Sequence, residues 1–104
     1  MSSAPLRGQV FRVDLGHGAK PWLVVSNNAR NAKLDTVIAV RITTTTKRTH
    51  LPTVVALEPA DQLVGAVLVD DLVQLYQDEL TTPLGVLTPR TLTAVSAALR
   101  VALP

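Results

Sequence analysis

Along residues 10–14 apolar and polar side chains alternate. Phe11, Val13 and Leu15 fall on one face and Arg12 and Asp14 on the other, the pattern of a half-buried strand. Gly16, Gly18 and Pro21 punctuate a loop, after which residues 22–26 form a β-branched run that reads as a central strand. The Asn-rich stretch 27–33 fits a turn or a short helix. Residues 36–43 alternate again, with Ile38, Val40 and Ile42 on one face. Arg41 and Thr43 then lie side by side on the opposite face, which sets a guanidinium next to a hydroxyl. Residues 43–50 are polar, basic and rich in threonine, and read as a strand end running into an exposed loop. Residues 53–57 resume a strand, 66–76 suit one long or two short strands, and 84–87 suit a short last one.

A helix closes the chain. Thr88 is a suitable N-cap, Pro89 sits where the first helical turn tolerates proline, and Leu92, Val95, Leu99 and Leu103 recur at helical spacing. Their stripe needs a sheet to lie on. No helix of crossover length separates the strands, so the expected fold is mainly β, a small curled sheet or SH3-like barrel with a C-terminal α-helix.

Composition narrows this further. A length of 104 residues suits one domain spanning 1–104. With 47% hydrophobic but 3% aromatic residues, aliphatic side chains must build the core. The absence of cysteine excludes a disulfide framework, a thiolate zinc site and a cysteine nucleophile. No stretch reaches the roughly 20 apolar residues of a membrane span, and residues 1–9 lack the apolar segment of a signal peptide. The expected location is the cytoplasm.

The net charge of +2 conceals an asymmetry. Residues 1–50 hold eight basic groups against the acids Asp14 and Asp35, whereas residues 51–104 hold Arg90 and Arg100 against six acids. A half with a formal charge of +6 in a small domain can form a positive face for an anionic partner such as nucleic acid, unless the fold interleaves the halves.

Few constellations carry chemistry. Gly16-His17-Gly18 lacks the spacing of a phosphate loop, and His17 and His50 with Asp70-Asp71 make no metal-ligand pattern. No cofactor is called for. The two histidines could act as acid and base, but nothing near His17 in sequence would orient its ring. Lys20-Pro21 at the start of the second strand, with Arg41 and Thr43 on the third, is the stronger cluster. Cations and a hydroxyl together stabilise a charged phosphorane. As isolated residues they read better as surface lysine, solvated arginine and strand-favouring threonine.

Five ordered blocks resemble the MazF/PemK family of toxin endoribonucleases: Arg7-Gly8-Gln9-Val10-Phe11; Asp14-Leu15; Lys20-Pro21-Trp22-Leu23-Val24-Val25-Ser26-Asn27-Asn28; Ile38-Ala39-Val40-Arg41-Ile42-Thr43; and Leu51-Pro52-Thr53. The resemblance covers nearly the whole chain. It implies a PemK-type barrel acting as a homodimer that cuts single-stranded RNA without a metal, by attack of the ribose 2′-hydroxyl on the adjacent phosphate. It also implies a cognate antitoxin that blocks the RNA groove with an acidic segment. Family catalysis is attributed to a basic residue before the proline opening the second strand and to a hydroxyl residue ending the third, here Lys20 and Thr43.

Lys20 departs from the arginine usual there, and an ammonium cannot hold a phosphate bidentately. Arg41 is the candidate to supply the missing fork. The loop 16–20 is also shorter than in many relatives, which shifts phosphate holding to the loop 44–50, with Thr44, Lys47 and Arg48 as candidate RNA contacts. Asn27 and Asn28 are candidates for hydrogen bonds to bases, or are turn formers. Trp22 fits the core or a dimer interface better than a base stack. The acids after residue 57 are expected away from the groove. A gyrase-poisoning toxin of the CcdB type would share the barrel, but its helix ends in Trp-Gly-Ile where this chain has Val101-Ala102-Leu103-Pro104. A non-catalytic RNA-binding module is the third reading.

Overall fold

The computed structural model describes residues 3–103. Six strands form one antiparallel sheet: β1 (Gln9–Asp14), β2 (Ala19–Val24), β3 (Thr36–Thr43), β4 (Val54–Ala56), β5 (Ala66–Tyr76) and β6 (Thr82–Val86). Their order is β4-β5-β3-β2-β1-β6, so β4 and β6 are the edges. Register shifts between Val10 and Phe11 and between Val40 and Arg41 bend the sheet. The predicted small barrel is realised as this curled sheet, whose two edge strands are not paired with each other.

Each face of the sheet carries a core. On one, Val10, Leu23, Val40, Ile42, Val67 and Val69 pack against Val95 and Ala98 of α2 (Pro89–Ala102). On the other, Val13, Trp22, Val24, Val37, Ala39 and Leu75 cluster with Phe11, Val73 and Leu80 at their margin. The expected half-buried first strand is observed, with Phe11 and Val13 toward one core and Arg12 and Asp14 exposed; Val10 in addition is fully buried on the helix face, and Leu15, expected on the apolar face, lies exposed beyond the strand end. The undecided Asn-rich stretch is a helix, α1 (Asn28–Lys33), capped by the Asn27 side chain accepting from the Arg30 N–H. Residues 66–76 form one long strand.

Helix α2 begins where its caps dictate. Thr88 Oγ1 accepts from the Thr91 N–H at 3.2 Å, and Pro89 occupies the first turn. Its buried positions are Thr91, Val95 and Ala98. Leu103 is 62% exposed and lies off the covered stripe. The helix start is tied to the 3₁₀ turn Pro59–Asp61 through one carboxylate. Asp61 Oδ1 accepts from the Thr88 N–H at 2.8 Å, and Oδ2 accepts from the Glu58 N–H at 2.8 Å and the Thr91 hydroxyl at 2.7 Å. Burial works to raise the Asp61 pKa. The hydrogen bonds from Thr88, Glu58 and Thr91 outweigh it and hold the carboxyl below its ordinary value.

Candidate phosphate-binding groove

The site begins where the β2–β3 ladder stops. Pairing runs Val24↔Ala39, Leu23↔Val40 and Trp22↔Arg41 and then ends, although β2 stays paired with β1 through Pro21, Lys20 and Ala19. Pro21 has no N–H to give, and its missing donor coincides with the end of pairing on the β3 side. Beyond that point the two strand ends stand open.

Strand alternation then places the chemistry. Val37 and Ala39 belong to the core on the face away from α2, so Arg41 and Thr43 continue that face. They line a groove of about 460 Å³ together with Thr45, Lys47 and Arg48, over an apolar floor of Val54 and Leu68. The loop bends back through threonine turns: Thr43 Oγ1 accepts from the Thr45 N–H at 3.3 Å, and Thr45 Oγ1 accepts from the Lys47 N–H at 3.4 Å. A hydroxyl accepting one bond retains its own proton for donation. Gly65, opposite this corner, has φ +127°, and a Cβ on it would lie 1.8 Å from the Thr43 carbonyl oxygen. Only glycine permits that approach.

The structure therefore brings Arg41, Thr43, Lys47 and Arg48 together. Lys20 is exposed and does not line the groove. The observed ladder ends at Trp22↔Arg41, two positions short of bringing Lys20 opposite Thr43. Thr44, in the bend after β3, is not among the residues lining the groove, and Thr45 lines it in its stead.

Asn27 and Asn28, the candidates for hydrogen bonds to bases, do not line this groove either. They lie past the opposite end of β2, about 20 Å from Lys20 at normal strand rise. Both have local work: Asn27 Oδ1 accepts from the Arg30 N–H and Asn28 Oδ1 from the Arg7 N–H, at 2.8 and 2.7 Å. Trp22 is 6% exposed and belongs to the core, which leaves no free ring face for a base.

The expected separation of acids from the groove is also corrected. Asp71 Oδ2 lies 3.2 Å from Arg41 Nε. Two of the counted cations are engaged elsewhere. Arg7 Nη2 donates to Ser96 Oγ on α2, and Arg30 donates to the carbonyl and hydroxyl of Thr36. Among the described residues no cluster of three or more His, Cys, Asp or Glu could hold a metal ion. Nor is any helix long and apolar enough to cross a membrane.

A curled β-sheet that opens at one ladder end into a groove of cations and hydroxyls defines a small β protein whose groove chemistry suits anionic oxygens. Residues 6–103 match the family described as PemK-like, MazF-like toxin of type II toxin-antitoxin system. The chain belongs to the PemK/MazF toxin family. It is 54% identical over 101 residues to endoribonuclease MazF1 of Mycobacterium bovis, covering 97% of this chain and 94% of that one. The same figures hold for endoribonuclease MazF4 of Mycobacterium tuberculosis. Among solved structures, a mycobacterial endoribonuclease in complex with its cognate antitoxin is 53% identical, with a TM-score of 0.91 over 97% of this chain and 98% of that one.

Proposed function

We propose that this chain is the toxin of a type II toxin–antitoxin pair, a cytoplasmic endoribonuclease that cuts single-stranded RNA at short sequences without a metal ion. The observation that carries the reading is the convergence of Arg41, Thr43, Lys47 and Arg48 on one groove. In the step envisaged, the ribose 2′-oxygen loses its proton and bonds to the adjacent phosphorus as the bond to the 5′-oxygen breaks. The 5′-oxygen takes up a proton, leaving a 2′,3′-cyclic phosphate and a 5′-hydroxyl.

The groove offers what this needs. Negative charge grows on the non-bridging oxygens, where the Arg41 fork and the Thr43 hydroxyl can donate hydrogen bonds. Lys20, exposed beyond the open end of the β2–β3 ladder, is the point cation we assign to stabilising or protonating the leaving oxygen. Lys47 and Arg48 hold flanking phosphates, which positions RNA without reading its sequence. A relative is found with its cognate antitoxin, so an antitoxin is the expected protein partner here, together with a second copy of the toxin.

The test is to incubate the purified protein with mixed-sequence single-stranded RNA in EDTA and characterise the ends. Discrete fragments with cyclic phosphates support the nuclease. Intact but retarded RNA would make the chain a binding module instead. Thr43→Ala and Lys20→Ala are each expected to slow cleavage by about 10²-fold, the usual cost of losing one transition-state donor. Full activity in both would remove the assignment.

A further inference from the structure

Asp71 comes from the acidic half of the sequence, yet it stands beside the groove because of how β5 is bent. Val40 pairs with Leu72 and Arg41 with Leu68, so residues 69–71 are extra on β5. This bulge is tied to the segment leading into β4: the Val69 N–H donates to the Thr53 carbonyl at 3.1 Å, and Thr53 Oγ1 donates to Asp70 Oδ2 at 2.6 Å. Asp70 is thus turned toward Thr53, while Asp71 approaches Arg41 Nε at 3.2 Å. Arg41 Nε is buried and has no aligned hydrogen-bond partner. Among the described residues Asp71 supplies the only carboxylate within ion-pair distance of this guanidinium.

A guanidinium can meet a phosphate along its Nε edge or end-on through its two terminal nitrogens. A carboxylate on the Nε side leaves the end-on pair for the groove. We propose that Asp71 is a positioning residue: it anchors the Nε edge of Arg41 against β5 so that the terminal nitrogens face the scissile phosphate. This rests on reading the groove as the RNA-cleaving site. The same carboxylate cancels one positive charge beside the groove, so Asp71 weakens binding of the ground state while favouring the geometry of the cleavage step. Only interactions that differ between ground and transition state change the rate at saturation.

The experiment compares wild type, Asp71→Asn and Asp71→Glu, and repeats Asp71→Asn in an Arg41→Ala background. Affinity for an uncleavable 2′-deoxy oligonucleotide is measured across a salt series, single-turnover cleavage of its RNA counterpart at saturation, and Tm for each variant. Asp71→Asn is expected to bind severalfold tighter, with a salt slope steeper by about 0.7, the value for one added charge on a single strand. Its saturated cleavage rate should fall about tenfold, the scale of a misaligned donor. Asp71→Glu should recover most of that rate, and in the Arg41→Ala background Asp71→Asn should act only as a removed negative charge, with no further fall in the saturated rate.

Unchanged slope and rate in Asp71→Asn would overturn the proposal. So would an equal fall in rate without Arg41, or parallel loss of binding and cleavage with a lowered Tm, which is the mark of a fold residue. If wild type binds the oligonucleotide but cuts no RNA, the nuclease reading fails by itself. The change in binding on Asp71→Asn, compared with and without Arg41, then decides whether the anchoring holds: an equal change in both backgrounds overturns it. If wild type binds no oligonucleotide, both fail together.

Discussion

Thr43 and Arg41 were legible as neighbours because strand alternation is a local rule that three residues suffice to apply. Asp71 was not, because its place depends on three extra residues in β5 that shift its register against β3. Nor was Thr45, whose position follows from the turn that Thr43 Oγ1 makes with its N–H. At Lys20 the sequence poses a chemical question that the fold sharpens. The side chain is exposed, so a longer fork would meet no packed neighbour. Lys20→Arg is therefore expected to fold normally and to raise kcat/KM severalfold through bidentate phosphate contact. A fall in rate with an unchanged Tm would show that the smaller ammonium is required, as for a proton donor.

The closing helix was the element most fully read in advance, since its cap, proline and apolar spacing all lie within its own segment. What fastens it was invisible. Asp61 reaches the helix start across about 30 residues, and no periodic pattern marks such a contact. Asp61→Ala orphans the Glu58 and Thr88 N–H groups and should cost about 2–4 kcal/mol, at the usual penalty for buried donors left unpaired. Asp61→Asn separates charge from shape. The folded carboxyl titrates below its unfolded value, so its contribution is present above the ordinary carboxylate pKa and is lost as pH falls through the folded one. The Tm gap between wild type and Asp61→Asn is accordingly expected to narrow below about pH 4. A gap constant down to pH 2 would assign the effect to shape alone. In the loop after β3, Lys47→Ala with Arg48→Ala should weaken RNA binding across sequences and flatten the salt slope by about 1.4, the sum for two phosphate contacts.

Across the whole molecule, the count of charges was right in sign but wrong in distribution. The basic half does supply the groove, yet Arg7 and Arg30 bind Ser96 and Thr36, and an acid from the other half is delivered to Arg41 by sheet pairing. A linear tally cannot see this, because antiparallel pairing brings residues about 30 apart into contact. Arg30→Ala is thus expected to lower stability by about 1–2 kcal/mol, through the lost bonds to Thr36. It should leave the salt slope of RNA binding unchanged. A flattened slope would place Arg30 on the RNA path and lengthen the groove toward α1.

The contact between Gly65 and the Thr43 carbonyl has a genetic consequence. Every missense change reachable by one base from a glycine codon adds a Cβ, and at this position that atom would fall 1.8 Å from the oxygen. In a population of cells forced to express the toxin, survivors sequenced in bulk should be enriched for missense alleles of codon 65. Codons 16 and 18 encode glycines at φ +100° and +88°, where a Cβ carries backbone strain but meets no atom within 4 Å, so they should contribute fewer escape alleles from the same mutational target size.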